Sequence, residues 1–259
     1  MSREIELKLL VEPAQKEAVL ALCQQLAGNA PTVMALANSY FDTPDLQLRH
    51  FDIGLRIRQR EQQREQTVKL AGEVTAGIHS RPEYNCDITA ETPDLALFER
   101  HIWPVQFQTN FTRHRWQLPS GQGCIELVFD EGWVIAGARQ QQICEIELEV
   151  QGGELTDALR TARVFMTAVG AQLGSLSKAA RGYLLAGLSQ LQPLAPLRCS
   201  THFMQRHPPS GIYQGVATAL NHWHHHDTLL REAPSEFAVQ GFATGLEWCA
   251  HSLQVVCSV

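Results

Sequence analysis

Charged and aliphatic residues alternate in short runs along the first two-thirds of the chain, beginning with Glu4-Ile5-Glu6-Leu7-Lys8-Leu9. Side chains in a strand point to alternate faces, so Glu4, Glu6 and Lys8 share one face and Ile5, Leu7 and Leu9 the other. The same parity places Arg56 with Arg58, Thr67 with Lys69, Arg81 with Glu83, Arg113 with Arg115 and, four residues apart, Glu126 with Asp130 on one face, and it aligns Glu145, Glu147 and Glu149. Turn residues separate these runs, the pattern of a β-rich domain. Helical periodicity replaces the alternation at Pro13–Leu26 (Val19, Leu22, Leu26) and at Thr156–Val169 (Leu159, Phe165, Met166). The character changes near residue 190. Leu191–Pro209 holds four prolines and reads as a linker, and Gly215–Arg231 and Pro234–Val256 read as two helices. Two regions are therefore expected, residues 1–190 and residues 191–259.

A single amphipathic strand usually turns its charged face to water. Here the charged faces carry adjacent like charges, three carboxylates in a row at Glu145, Glu147 and Glu149, and the signature repeats in segment after segment. A closed sheet with a charged lumen accounts for both features, and about eight strands enclose room for one small ligand. The expected fold is α+β: an eight-stranded antiparallel tunnel, helices covering its apolar outer face, and a short α-helical tail.

Composition narrows the possible functions. In 259 residues, 44% hydrophobic and 19% charged residues make a globular chain. The net charge of 21 − 27 = −6 argues against a general nucleic-acid binder. Seventeen of the 21 basic residues are Arg, the residue suited to bidentate phosphate recognition, although codon bias alone produces such a ratio. No run of 18 uncharged apolar residues exists, so no membrane span is expected. Met1-Ser2-Arg3-Glu4 leads straight into a strand, and the seven cysteines form no CxxC pair, so a cytoplasmic protein with reduced thiols is expected.

A lumen holding both cations and carboxylates suits a polyphosphate carried with a divalent ion. Hard oxygen donors favour Mg²⁺ or Mn²⁺ over zinc. Several motifs follow one another along the chain: Glu4-x-Glu6-x-Lys8, Tyr40-Phe41-Asp42-Thr43-Pro44, Gly54-Leu55-Arg56-Ile57-Arg58, Val68-Lys69, Arg81-Pro82-Glu83-Tyr84, Glu145-Ile146-Glu147 and Ser175 to Tyr183. In this order they resemble the CYTH superfamily, the triphosphate tunnel metalloenzymes, over about residues 1–188. Within it they most resemble the bacterial inorganic triphosphatases, whose tunnel is followed by a larger helical domain. The resemblance implies that Lys8, Arg56, Arg58, Lys69, Arg81, Arg113, Arg115 and Lys178 contact phosphate oxygens. It implies that Glu4, Glu6, Asp130, Glu145 and Glu147 gather at a metal end, with Glu149 joining by strand parity and Glu83 orienting a cation or touching metal. Glu4, Glu6, Lys8, Glu145 and Glu147 form the expected catalytic core. Arg181 resembles the motif in placement, and Tyr40 and Asp42 are expected to serve the fold.

The expected activity is metal-dependent hydrolysis of inorganic triphosphate to pyrophosphate and phosphate. The alternatives are another triphosphate-tunnel enzyme (a thiamine or nucleoside triphosphatase, or an adenylate cyclase) and a non-catalytic polyphosphate-binding module. Retention of Glu4, Glu6, Glu145 and Glu147 speaks against a pure binder, which would gain by replacing carboxylates with cations. In the tail, His222, His224, His225 and His226 are expected on a wet helix face, since no Glu or Cys completes a metal site.

Overall fold

In a computed structural model of the chain, residues 2–75, 77–94, 102–197 and 208–257 are described. The strands are β1 (Ser2–Leu10), β2 (Thr32–Phe41), β3 (Gly54–Arg60), β4 (Gln63–Lys69), β5 (Glu73–Thr75), β6 (Ile78–Ile88), β7 (Val105–Ser120), β8 (Gly123–Ala136), β9 (Arg139–Gln151) and β10 (Gln172–Leu173). The helices are α1 (Lys16–Ala27), α2 (Gln47–His50), α3 (Leu155–Val169), α4 (Lys178–Ala186), α5 (Pro208–Glu232) and α6 (Glu236–Cys257). Two compact units result: Met1–Glu73 with Ile78–Ser189, and Val74–Gly77 with Gln190–Val259.

Eight strands of the first unit close on themselves in the order β1-β9-β8-β7-β2-β3-β4-β6, and β6 returns to β1. Every neighbouring pair is antiparallel. β1 makes closure possible by dividing its length: Ser2–Leu7 pairs with β6, and Glu6–Leu10 pairs with β9. Closure leaves no sheet edge within the ring, and it sends one side-chain parity of every strand into the lumen.

The opposite parity is apolar. Leu7, Leu9, Leu127, Phe129, Ile146 and Leu148 are buried outside the barrel beneath Val19 and Cys23 of α1 and Ala158, Ala162 and Phe165 of α3. These are the two covering helices that the periodicity predicts. α1 starts at Lys16 because Pro13–Gln15 forms a 3₁₀ turn ahead of it.

At one end the lumen itself turns apolar. Leu36, Tyr40, Phe107, Phe111, Val134 and Ile143 form a cluster there with Tyr183 of α4. Only glycine lets α4 come this close, because a Cβ at Gly182 would lie 2.0 Å from the Phe107 ring. Asp42 fixes the corner after β2. Its carboxylate accepts hydrogen bonds from the backbone N–H groups of Thr43 (2.8 Å), Leu48 (2.9 Å) and Arg49 (3.0 Å) and from the Tyr183 hydroxyl (2.8 Å).

In the second unit the two tail helices are present, but α5 begins at Pro208. Proline is tolerated in a first helical turn, where its missing N–H costs nothing. The expected wet histidine face is corrected: His222, His224 and His226 are at most 3% exposed. Gly241 and Gly245 of α6, four residues apart, bring the two helices together. A Cβ at Gly241 would meet the His226 ring at 2.1 Å, and one at Gly245 would meet the Trp223 backbone. His225 reaches the Gln192 carbonyl at 2.7 Å.

Candidate active site

The lumen holds a cavity of about 440 Å³. Glu4, Glu6, Lys8, Arg56, Arg58, Lys69, Arg81, Glu83, Arg113, Arg115, Glu147, Glu149 and Lys178 line it. Asp130 and Glu145 complete the set of sequence-predicted residues. Both are fully buried in contact with Lys178. The alternation thus places these side chains around one volume, with Lys178 added from the start of α4.

The charges within that volume fall into two groups. The first is compensated. Asp130, Glu145 and Glu147 bring one oxygen each within 4.8 Å of one another. Lys8 pairs with Glu145 at 3.1 Å and with Glu147. Lys178 pairs with Asp130 at 2.6 Å, with Glu147 at 3.0 Å and with Glu145. Arg113 donates twice to Asp130 (2.8 and 2.7 Å) and once to Glu147 (2.7 Å). Arg181 donates to Glu145 at 3.1 Å and also to Gln141 and the Gln142 carbonyl. Burial alone would neutralise these groups, but their mutual attraction outweighs it. Asp130 is held below the carboxylate range, chiefly by Arg113 and Lys178, and Glu147 well below it by Lys178, Lys8 and Arg113. Lys8 is pushed well above the ordinary lysine value by Glu145 and Glu147.

The second group is not compensated. Lys69 serves two carboxylates, Glu4 at 2.6 Å and Glu83 at 3.0 Å. Glu6 faces Glu149 across the β1–β9 pair, and Glu149 faces Glu126 across β8–β9. Among the described residues neither Glu6 nor Glu149 has an ion pair within 4.0 Å. Glu4 is raised to about 7 by burial, against the pull of Lys69 and with the push of Glu6 and Glu83. Glu149 is raised by burial and by Glu126. Glu6 is held below its ordinary value: burial would raise it, but the field of Lys8, aided by Lys69 and His79, prevails over Glu147.

Cations elsewhere in the lumen show the converse deficit. Arg58 donates to the Asn38 side chain at 2.9 Å and, among the described residues, pairs with no carboxylate. Burial, with the like charges of Arg56 and Arg113, pushes its pKa down to about 9. Arg56 and Arg115 each meet a carboxylate, Glu83 at 4.0 Å and Glu126 at 2.6 Å, but their Nε atoms are buried without a hydrogen-bond partner. Arg81 approaches the His79 ring at 3.4 Å and, among the described residues, has no ion pair.

The six carboxylates expected at one metal end are therefore divided. Asp130 and Glu145 are taken up by cations, Glu4, Glu6 and Glu149 retain unspent charge, and Glu147 stands at the border, lining the lumen while bound to Lys8, Lys178 and Arg113. A divalent cation fits the Glu4, Glu6 and Glu149 group on chemistry. The donors are hard oxygens, and the burial and mutual repulsion that raise Glu4 and Glu149 are what such an ion offsets. Several lumen residues were missed at the sequence level: Asn38, Glu65, Asn85, Gln151 and the buried His79. Parity could have found most of them. Glu65 precedes Thr67 and Lys69 by twos, Asn85 follows Glu83, and Gln151 follows Glu149.

The CYTH domain family matches residues 2–183. The inorganic triphosphatase of Haemophilus influenzae is 38% identical over 201 residues, covering 71% of this chain and 55% of that protein. The chain thus spans about half the length of this curated relative. Among solved structures, the Hippeastrum protein HpAC1, described as having a dominant triphosphatase activity, shares the fold with a TM-score of 0.53 at 19% identity, over 70% of this chain and 95% of that one. The tunnel and the family match agree, and the chain belongs to the CYTH domain family.

Proposed function

We propose that this protein hydrolyses inorganic triphosphate to pyrophosphate and phosphate with the help of Mg²⁺ or Mn²⁺. The observation that carries this reading is Arg58, a half-buried cation among cations, in the same lumen as carboxylates that have too few cations of their own. A polyanion accompanied by a divalent ion relieves both deficits at once, and neither ligand alone does so. The similarity to a protein named inorganic triphosphatase supports the same substrate.

On this reading Arg56, Arg58, Arg81, Lys69 and Arg115 bind phosphate oxygens and fix the chain's direction along the tunnel. Lys8, Lys178 and Arg113, oriented by Asp130, Glu145 and Glu147, present fixed positive charge where negative charge grows during bond cleavage. Glu4, Glu6 and Glu149 would hold the metal ion, with Glu147 the adjoining carboxylate on β9. When bound, such an ion supplies polarisation of phosphoryl oxygens and a more acidic water. The apolar end beneath α4 keeps bulk water from the far side of the charged chamber, which strengthens every contact inside it. Residues 1–190 carry this chemistry, and residues 191–259 form a linker and helical region. A cytoplasmic setting accords with Cys23, Cys86, Cys124, Cys144 and Cys249, which are free thiols. Among the described residues no helix is long and apolar enough to cross a membrane.

The test is a turnover panel of tripolyphosphate, ATP and thiamine triphosphate, each with Mg²⁺, with Mn²⁺ or with chelator. Phosphate release greatest from tripolyphosphate and abolished by chelator is expected. Faster turnover of an organic triphosphate would reassign the substrate, and binding without release would make the protein a polyphosphate-binding module.

A further inference from the structure

We propose that the tunnel carries an additional anion subsite, an outer chamber that takes the phosphates beyond the third in a longer linear polyphosphate. This rests on the triphosphatase reading above. The chamber measures about 210 Å³ and shares Arg58, Arg113 and Arg115 with the main cavity. β3 links the two spaces. Arg56, Arg58 and Arg60 lie on one face at successive i, i+2 positions, about 6.8 Å apart along the strand. Arg56 lines the main cavity, Arg58 lines both, and Arg60 lines the outer chamber. The strand is thus a ladder of guanidinium groups running out of the triphosphate site.

Arg60 is free to act on an anion. Its guanidinium donates to the Gln63 side chain at 2.9 Å and approaches the Met34 sulfur at 3.7 Å, and among the described residues no carboxylate lies within 4.0 Å of it. Of the acidic residues around the chamber, Glu126 is already tied to Arg115 at 2.6 Å, while Glu65 and Asp87 face each other across β4 and β6. Among the described residues no aromatic ring lines the chamber, and its apolar wall is Met34 and Leu36. A purine or thiamine ring would find nothing to stack on, whereas further phosphates would meet Arg58, Arg60 and Arg115. That contrast favours a longer polyphosphate over an organic ester.

The experiment compares tripolyphosphate, linear tetraphosphate and ATP on the full chain, wild type against Arg60→Gln and Arg60→Lys. Phosphate release is read with Mg²⁺, and affinity is read by calorimetry in chelator. Arg60→Gln should leave tripolyphosphate KM and kcat within twofold of wild type and weaken tetraphosphate about tenfold, the scale of one charge-assisted contact. Arg60→Lys should restore most of that loss. The inference is overturned if Arg60→Gln affects both polyphosphates equally, affects neither, or selectively weakens ATP, which would make the chamber an ester site. A wild-type chain that binds both polyphosphates but cleaves neither would sink the triphosphatase reading, and the binding comparison would still decide the subsite.

Discussion

Asp130, Glu145 and Glu147 are each met by two or more cations, while Glu149, further along β9, and Glu6 on neighbouring β1 face one another with none. Both groups are carboxylates on tunnel-facing positions of antiparallel strands, so secondary structure does not distinguish them. The difference comes from what each strand brings opposite. Lys8 lies beside Glu147 in register, Arg113 lies beside Asp130, and α4 adds Lys178 and Arg181. Glu149 instead meets Glu6 on one side and Glu126 on the other. A buried charge whose partners are built in belongs to the structure. One that is half-buried and short of partners, as Glu4, Glu6, Glu149 and Arg58 are, remains open to a ligand that brings the opposite charge. The uncompensated set, Glu4, Glu6 and Glu149 with Arg58, is therefore where the ligand's own charges are needed.

The sharpest break between the two groups should appear in stability. Glu145→Gln removes a counter-ion of Lys8, Lys178 and Arg181 inside the barrel. Breaking one side of such a buried network costs about 3–5 kcal/mol, so the melting temperature should fall by roughly 10 °C. Glu6→Gln removes a carboxylate that has no ion pair and only the field of Lys8 to stabilise it, so the melting temperature should fall by no more than a few degrees. Its penalty should fall on catalysis instead, with kcat on tripolyphosphate lowered about a hundredfold. Thermal melts and steady-state kinetics on the same two proteins check both statements. Equal loss of stability in the two variants would erase the distinction.

The tunnel was legible from the sequence because a closed barrel gives strand alternation one meaning: one parity faces in and the other faces out. Lys8, Arg58 and Glu149 could be placed in the lumen on that ground alone. The division of the carboxylates could not. It depends on the cross-strand register that sets Glu149 against Glu126 and on the docking of α4, and neither leaves a local signal. Asp42 could be assigned to the fold, but its bond to Tyr183, 141 residues away, could not be foreseen. The histidines of α5 misled because their burial is due to Gly241 and Gly245 on a different helix.

A smaller effect should appear with pH. Glu4, raised to about 7, is largely protonated at pH 6 and charged at pH 8. Divalent-ion affinity should therefore be about tenfold weaker at pH 6, with a proton released on binding near neutrality. Calorimetry in buffers of different ionisation heat measures both. The linked effect on folding has opposite signs in two neighbours. The raised pKa of Glu4 means that the metal-free fold loses stability as pH climbs from 4.5 towards 7. Glu83 is depressed to about 2, because Lys69 and Arg56 outweigh its burial, so its contribution is present above 4.5 and lost as pH falls towards 2. Glu4→Gln should remove the first trend and leave the second.

The central claim, that unpaired lumen charges are reserved for a ligand, is tested most directly by melting Arg58→Gln with and without tripolyphosphate in chelator. Wild type should gain stability from the ligand by mass action. Arg58→Gln should melt at or above the wild-type temperature without ligand, since it removes a half-buried cation that has no carboxylate partner among the described residues, and it should lose most of the ligand-induced shift. A variant that melts well below wild type while keeping the full shift would contradict the account, because Arg58 would then be holding the barrel together and not the substrate.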